Sequence, residues 1–267
     1  AAEVLPRHQW ITYLEPESHL DDLAEIISAL PGLTEDSTVC GISFKDDSLV
    51  ERLSRRGFKN TWRLDPERDL GIVEPGAGDE TIQDRLTPEA ALRIAGIRGK
   101  ADVVIVRHIL EHAHQPISFL QALKNLLSPN GFIVAEAPDE ARSIEEGDVS
   151  ILWEEHTLYF TSETFKSALT FGGLSGVRFE QVHYAEEDTV VGIVQPNDQL
   201  KPAVPEAAAL EKEIRRARNY AEDVEAQRVK VGKFLSNHQE NKGKVAVFGA
   251  GHRSIAYINL LGLKDYL

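Results

Sequence analysis

An apolar run passes directly into a polar turn at Val103-Val104-Ile105-Val106-Arg107-His108-Ile109-Leu110-Glu111-His112. A second apolar run, Phe132-Ile133-Val134-Ala135, has a polar exit of its own at Glu136-Ala137-Pro138-Asp139. Continuous apolar runs of this length are typical of strands buried on both faces of a parallel sheet. Ligands of such sheets bind outside the carboxyl ends of the strands. The two polar exits therefore predict the ligand-binding edge of an open α/β sheet.

Strands and helices alternate on both sides of these runs. The pattern predicts two more short strands, at 38–42 and 61–64, and amphipathic helices near 18–30, 49–57, 89–95, 117–127 and 161–171. Two runs that alternate in polarity, 177–184 and 189–194, predict a closing antiparallel pair. We therefore expect a mainly parallel sheet covered by helices on both faces and closed by a β-hairpin.

The C-terminal part of the chain has a different composition. The proline-bearing polar stretch 195–205 indicates a linker, and 206–239 is a long charged helix with a thin apolar stripe. A surface helix or an oligomer seam explains this stripe better than a catalytic role, so a homo-oligomer through this helix is one expectation. Lys244–Phe248 then predicts a strand entering a glycine turn, about 16 residues before the sequence ends.

These patterns predict three segments. Residues 1–195 form an α/β domain, residues 196–242 form a linker and a long helix, and residues 243–267 begin a second Rossmann-like unit that is incomplete.

The composition argues against several classes of protein. A formal net charge of −14 would repel nucleic acid and anionic membranes, so neither partner is expected. No apolar run reaches membrane-spanning length, and the first residues lack the layout of a secretion signal. Cys40 is the only cysteine, which excludes intramolecular disulfides and cysteine-rich zinc sites and fits a reducing cytoplasm.

The exit of the first strand, Gly41-Ile42-Ser43-Phe44-Lys45-Asp46-Asp47-Ser48, is a candidate ligand turn. Nucleotide-binding turns at this point are rich in glycine, because the backbone must approach the ligand closely. Here only Gly41 remains, so both a ligand turn and plain helix capping by Asp46 and Ser48 stay open. Within this turn, Gly41, Ser43 and Asp46 are the candidate cofactor contacts.

Asp65 ends the second predicted strand, where α/β nucleotide sites carry an acid that binds ribose hydroxyls. The alternative is an Asp-Pro turn that starts a helix. Arg107 and His108, at the exit of the strand that precedes Ile109, complete the candidate cofactor contacts. Their position at the carboxyl end of a buried strand is the reason for this prediction.

The turn Glu111-His112-Ala113-His114 carries residue types that can bind metal. Two histidines separated by one alanine in a turn do not match the spacing of a helical ligand pair. We therefore expect no metal, and assign these residues to capping and ligand contacts.

The strongest chemistry lies in Trp153-Glu154-Glu155-His156-Thr157-Leu158-Tyr159-Phe160. A histidine beside carboxylates becomes a stronger base, because the neighbouring negative charge favours its protonated form. Glu155 and His156 are therefore the candidate catalytic pair. The alternative is a structural histidine that bonds to the adjacent loop.

The glycine turn near the end of the sequence, Gly249-Ala250-Gly251-His252-Arg253-Ser254, matches half of a dinucleotide fingerprint. Such a turn can bind phosphate through backbone N–H groups at the start of a helix. The acidic residue expected about 20 positions later does not occur in this sequence. A dinucleotide-dependent oxidoreductase is thus one alternative function.

With these residues in view, the chain resembles the sugar C-methyltransferases, which are class I S-adenosylmethionine (SAM) enzymes acting on nucleotide-linked keto-deoxysugars. That family has a run close to Tyr-His-Glu-His followed by an aromatic pair. Glu155-His156 and Tyr159-Phe160 match it, whereas Trp153 and Glu154 stand in place of its first two residues. The segment from Leu110 to Leu127 and the distal glycine turn also match, so the resemblance covers roughly residues 36–263.

The sequence departs from this family in two places. The family's N-terminal zinc module, which is built on cysteines, has no counterpart here. The family's first-strand motif, close to Glu-Ile-Gly-x-Asn-Asp-Gly, aligns with Gly41–Asp47 and keeps only the isoleucine and one aspartate.

The resemblance implies a Rossmann-like class I methyltransferase sheet and SAM as the cofactor. It implies that His156 removes a proton next to a keto group, that Glu155 orients His156, and that Tyr159 donates to the developing oxyanion. The acceptor would be a small molecule, and the resemblance implies a nucleotide sugar. A methyltransferase-fold protein that has lost SAM and acts as a binding or assembly module is the alternative, motivated by the altered first turn.

Overall fold

The computed structural model describes residues 17–267 except 75–76, 78–79, 154, 186, 198, 201–204 and 250. The described residues divide into two compact units. The first unit draws on Ala1–Asp139 and Thr157–Ala203, and the second on Glu140–His156 and Val204–Leu267. The segment 140–156 therefore groups with the C-terminal residues. The domain boundaries predicted at 195 and 242 stay predictions.

The first unit is built on one six-stranded sheet. Its strands are β1 Thr38–Gly41, β2 Asn60–Arg63, β3 Ala101–Arg107, β4 Leu127–Asp139, β5 Leu174–Val182 and β6 Asp188–Pro196. They lie in the order β2-β1-β3-β4-β6-β5, with the first four parallel and both β6 pairings antiparallel. This arrangement confirms the predicted Rossmann-like α/β sheet with a terminal β-hairpin.

The order of the strands decides where a ligand can bind. From β1 the chain moves outward to β2 and then returns to place β3 on the other side of β1. The strand order reverses between β1 and β3, and open α/β sheets bind ligands at this reversal, beyond the carboxyl ends of the strands. The residues that leave β1 and β3 therefore face the expected ligand crevice.

Helices cover both faces of the sheet. In the first unit these helices are α1 Leu20–Ser28, α2 Asp47–Arg55, α3 Pro66–Leu70, α4 Glu80–Arg85, α5 Pro88–Arg98, α6 Pro116–Leu126 and α8 Ser162–Phe171. The helix between α6 and α8 in the sequence, α7 Ala141–Glu146, belongs to the second unit. Successive strand residues point to opposite faces, so Val103 packs in the cluster under α1 and α2 while Val104 packs in the other cluster. Burial of such a side chain stabilises the fold by roughly 1.5–3 kcal/mol.

The starts of these helices follow from capping residues that the sequence contains. Thr87 accepts a hydrogen bond from the Ala90 amide at 3.2 Å, with Pro88 at the first helical position of α5. Thr161 and Thr164 form a reciprocal capping box at the start of α8.

The strand β4 contains an irregularity near its start. Pro129-Asn130-Gly131, residue types that are typical of a turn, lies inside β4, which begins at Leu127. Asn130 has φ of 65°, and the β3–β4 register shifts between Ala101 and Val103. An asparagine tolerates this left-handed conformation, so the strand passes through an irregularity without ending.

The second unit contains α7, the long helix α9 Ala207–Lys242 and α10 His252–Leu260. Its small core joins Val149, Leu261 and Leu263. The Arg216 guanidinium lies 2.8 Å from Glu145, and the Tyr220 hydroxyl donates to the Asp148 carbonyl at 2.9 Å. The predicted oligomer seam along α9 stays a prediction. Among the described residues, every helix is too short or too polar to cross a bilayer.

The strand predicted at Lys244–Phe248 is not formed. The described residues 244–249 form neither helix nor strand, and the Phe248 side chain is fully exposed. A strand needs a neighbour that takes up its backbone hydrogen bonds, and the described residues place none beside it. The apolar pattern is right for a strand, but the pattern alone does not supply a partner.

Candidate functional site

The turn after β1 is closed by the side chain of Asp46. Its Oδ2 atom accepts hydrogen bonds from the amides of Ile42 at 2.7 Å and Ser43 at 2.8 Å, and its Oδ1 atom accepts from the Arg107 amide at 2.9 Å. Ser43 caps a short 3-10 turn at Phe44–Asp46. Asp46 is fully buried. One carboxylate thus joins the carboxyl ends of β1 and β3.

The role of Gly41 in this turn is to make room for Asp46. A Cβ atom added at Gly41 would lie 3.1 Å from Cβ of Asp46 and 3.4 Å from Cγ2 of Val50. The close approach at this glycine is therefore made by the chain itself. The predicted capping of α2 by Asp46 is wrong in one respect: Asp46 is the N-cap residue, but its side chain makes no cap bond. Ser48 lies inside α2 and donates to Glu17 at 2.7 Å.

Arg107 and Glu136 form a buried ion pair where β3 and β4 end. The Arg107 Nε atom lies 2.7 Å from Glu136 Oε2, and Nη2 lies 3.2 Å from Oε1. Both side chains are 1% exposed. Nη1 of the same guanidinium donates to the Lys45 carbonyl at 2.6 Å. The two-point contact fixes both side chains, because the planar guanidinium matches the geometry of the carboxylate.

His108 lies between two carboxylates. Its Nε2 atom is 3.1 Å from Glu136 Oε1, and its Nδ1 atom is 3.6 Å from Glu111 Oε1. Its φ of 52° is in the left-handed region, which costs a non-glycine residue about 1–2 kcal/mol. The His108 amide donates to the Glu136 carbonyl at 3.0 Å, which helps to hold this backbone. Predicted as a cofactor contact, His108 is 3% exposed.

His19 is a member of this cluster that the sequence did not indicate. Its Nε2 atom lies 3.2 Å from Glu136 Oε2, and its Nδ1 atom lies 2.6 Å from the Tyr184 hydroxyl. Glu136 was also missed, although opposite charges at the ends of two adjacent strands could have indicated the Arg107 pair. For His19 the sequence holds no such signal, since it precedes α1 and is far from β4 along the chain.

The protonation of Glu136 makes a prediction for acid stability. Burial alone would raise the pKa of Glu136, but the Arg107 guanidinium and hydrogen bonds with His108 and His19 hold this pKa well below its ordinary value of 4.5. The folded state then binds fewer protons, so the stabilisation is present above about pH 4.5 and is lost as the pH falls further. We expect the Glu136→Gln variant to have a flatter stability curve below pH 5 than wild type in urea unfolding. Parallel curves would contradict this role.

Asp65 follows β2 by two residues and caps the start of α3. Its Oδ1 atom accepts from the amides of Glu67 at 3.1 Å and Arg68 at 2.9 Å, with Pro66 at the first helical position. The hydrogen bond from the Arg68 amide lowers the pKa of Asp65. The Asp-Pro helix start is therefore formed. The Asp65 side chain is 40% exposed, and its Oδ2 atom lies 3.8 Å from Arg68 Nε. This oxygen can therefore still accept a hydrogen bond from a hydroxyl group. The ribose contact stays a prediction.

Thr157 is attached to the turn that follows β3. Its amide donates to the Glu111 carbonyl at 2.9 Å, and its hydroxyl donates to the Ala113 carbonyl at 3.0 Å. The Leu158 amide also donates to Glu111, at 3.0 Å. Phe160 is buried edge-on against Phe165, and the preceding Tyr159 is half-buried. The residues after His156 are thus held at the ligand-binding edge of the first unit.

Glu155 and His156 belong to the second unit. The His156 amide donates to the Trp153 carbonyl at 3.2 Å, and the two rings stack with centroids 6.2 Å apart. Both side chains are partly exposed. Their catalytic role stays a prediction, as does that of Tyr159. Glu154 lies outside the described residues.

The glycine turn of the second unit is described only in part. Ala250 lies outside the described residues, and α10 begins at His252. Gly249 has φ of 125°, a conformation that favours glycine. A dinucleotide site at this turn stays a prediction.

Comparison with known proteins places the chain in a family. The family described as "Methyltransferase domain" matches residues 22–178 of the chain. No curated protein matches this sequence.

Among the solved structures that are similar to the chain is a 1,6-didemethyltoxoflavin-N1-methyltransferase from Burkholderia thailandensis, bound to 1,6-didemethyltoxoflavin and S-adenosylhomocysteine, with 14% identity over 72% of this chain and 84% of that chain and a TM-score of 0.47. An SAM-dependent methyltransferase from Clostridium acetobutylicum has 11% identity over 68% of this chain and 93% of that chain, with a TM-score of 0.45. The N-methyltransferase NodS from Bradyrhizobium japonicum has 16% identity over 68% of this chain and 97% of that chain, with a TM-score of 0.43.

Proposed function

This chain belongs to the family of methyltransferase domains, and on that premise we propose that it transfers a methyl group from SAM to a small-molecule acceptor. The acceptor class that the sequence supports best is a nucleotide-linked keto sugar, methylated on carbon. The observation that carries the proposal is the family match over 22–178, together with a sheet whose polar strand exits meet at its reversal point.

A contact after β2 supports binding of the nucleoside part of SAM. Asp65 keeps one carboxylate oxygen accessible at the carboxyl edge of the sheet, where a ribose can donate two hydroxyl hydrogen bonds. The turn after β1, as it stands, does not fit the amino-acid part of SAM, because Asp46 already occupies its N–H groups. The residues present therefore fit the ribose of SAM at Asp65, whereas Asp46 closes the turn that would bind the amino-acid part.

The chemistry of the acceptor rests on the proposed roles of this chain's own residues. SAM, when bound, supplies an electrophilic methyl group. His156 removes a proton from the carbon next to the keto group, and Glu155 orients the imidazole through its negative charge. Tyr159 donates a hydrogen bond to the oxygen on which charge develops. The role of Tyr159 is supported by Thr157, two residues earlier in the same unit, which binds the turn after β3.

The ribose contact gives a direct prediction. Asp65→Asn keeps a side chain that caps α3 but replaces one acceptor oxygen with a donor. We expect its affinity for S-adenosylhomocysteine (SAH) to fall about tenfold or more, because a charge-assisted hydrogen bond is lost. Isothermal titration calorimetry measures this change. Glu67→Gln, at the second residue of the same helix, is the control, and an equal loss in both variants would argue against a specific ribose contact.

The experiment that tests the proposed function is a transfer assay. The chain is incubated with SAM and a nucleoside-diphosphate-linked keto-deoxysugar, with the corresponding sugar lacking the keto group as the control acceptor. We expect SAH release and a methylated product with the keto sugar, and neither of them with the control acceptor. Absence of transfer together with absence of SAH binding would contradict the proposal and favour a binding module, the alternative that the closed turn suggests.

A further inference from the structure

The closed turn after β1 has the construction of an anion site. Three backbone N–H groups, those of Ile42, Ser43 and Arg107, converge on one point at distances of 2.7–2.9 Å from carboxylate oxygens. Successive N–H groups in a turn form a concavity that binds anions. Here the anion is the side chain of Asp46, which comes from the same turn.

Hydrogen bonds between the exits of β1 and β3 enclose this point. The Arg107 guanidinium donates to the Lys45 carbonyl at 2.6 Å, and Lys45 Nζ lies 3.4 Å from the His108 carbonyl. Both contacts cross from the exit of β1 to the exit of β3, where the strand order reverses. Open α/β sheets bind their ligands at this reversal. The position that a ligand's anionic group would take is therefore filled by the chain.

The burial of Asp46 carries a cost that opposes this occupation. Complete burial raises the pKa of Asp46 to about 7, while hydrogen bonds from the Ser43, Ile42 and Arg107 amides and the charge of Arg107 work against that shift. A carboxylate in water is not subject to this burial penalty. Exchange of the Asp46 side chain for an incoming carboxylate thus keeps the N–H groups satisfied and returns Asp46 to solvent.

We propose that Asp46 is an internal competitor of the donor, and that its carboxylate and the amino-acid carboxylate of SAM or SAH bind the same N–H groups. The inference rests on the proposed function and concerns regulation of the same site. SAM affinity is then set by the balance between the closed turn and the bound donor. The plain alternative, that Asp46 only stabilises the turn, changes folding stability but not the selectivity for the amino-acid part.

The test compares two ligands that differ only at this point. SAH carries the amino-acid part, and 5′-methylthioadenosine lacks it while keeping the adenosine. In calorimetric titrations, Asp46→Ser is expected to increase SAH affinity about tenfold or more, because the competing carboxylate is gone. The affinity for methylthioadenosine is expected to stay within about twofold of wild type, because this ligand lacks the amino-acid part with which Asp46 competes.

Asp102→Ser is the matched control. Asp102 also accepts a backbone hydrogen bond, from the Thr38 amide at 2.9 Å, but it lies at the amino end of β3, the opposite edge of the sheet. Its substitution is expected to leave both affinities unchanged. Should Asp46→Ser fail to fold, as judged by circular dichroism, Asp46→Asn gives the same comparison with one acceptor oxygen kept.

Two outcomes would overturn the inference. One is an unchanged or weaker SAH affinity in a folded Asp46 variant, and the other is an equal gain for SAH and methylthioadenosine. Failure of the proposed function is distinguishable from both. In that case neither ligand binds the wild type or any variant, whereas methylthioadenosine binding to wild type with no selective gain in the variant contradicts the inference alone.

Discussion

Replacing Glu136 with alanine is expected to lower the free energy of unfolding of the first unit by about 3–5 kcal/mol. The substitution leaves the Arg107 guanidinium buried without the carboxylate that it contacts at 2.7 and 3.2 Å. It also removes the acceptor shared by His108 and His19. An uncompensated buried charge accounts for most of such a loss, because its solvation by water is not restored.

Hydrogen exchange in the β3 and β4 peptides, followed by mass spectrometry, measures this loss. These peptides lie in the core of the first unit, so their slowest amides report its global opening without interference from the second unit. The control is Glu180→Ala, which breaks the partly exposed pair with Arg178 and should cost no more than about 1 kcal/mol. A loss for Glu136→Ala no larger than that of the control would show that the buried pair is not a stabilising centre.

Replacing His156 with glutamine is expected to reduce the rate of methyl transfer by about 10²–10⁴-fold, the usual contribution of a general base. Glutamine keeps the size and polarity of the side chain but cannot take up the proton. Binding of SAH is expected to stay within about twofold of wild type, because the proposed donor contacts lie at Asp65 and at the turn after β1.

The rate is measured as SAH release with the nucleotide keto sugar, and the affinity by calorimetry. His238→Gln, on α9 of the same unit, is the control and is expected to keep the wild-type rate. If His156→Gln loses rate and SAH affinity equally, the residue is a structural element or a donor contact. If it keeps its rate, another group is the base.

Much of the fold follows from the sequence by simple patterns. The apolar runs at 103–106 and 132–135 predict two central strands, and the alternating runs after residue 174 predict the hairpin that the structure contains. Pattern alone gave a wrong result at Lys244–Phe248. Strand formation there requires a hydrogen-bonding neighbour, which a local apolar run does not contain.

The candidate site was predictable to a smaller extent. The sequence indicates that Asp46, Asp65, Arg107 and His108 follow strands at one edge, and the structure brings Asp46, Arg107 and His108 into one buried network. The sequence does not indicate which way a side chain turns. Asp46 folds back onto its own turn, where three amides bind its carboxylate although burial raises its pKa to about 7. His19 joins Glu136 from a distant part of the chain. Such choices depend on tertiary geometry.

The crystal structure of this chain with bound SAH is the measurement that bears most directly on methyl-donor binding at the carboxyl edge of the sheet. We expect SAH across the ends of β1 and β2, its ribose hydroxyls within hydrogen-bonding distance of Asp65, and the side chain of Asp46 displaced from the amides of Ile42 and Ser43. SAH bound elsewhere, or an unchanged Asp46 with the amino-acid part of SAH at another position, would contradict this account.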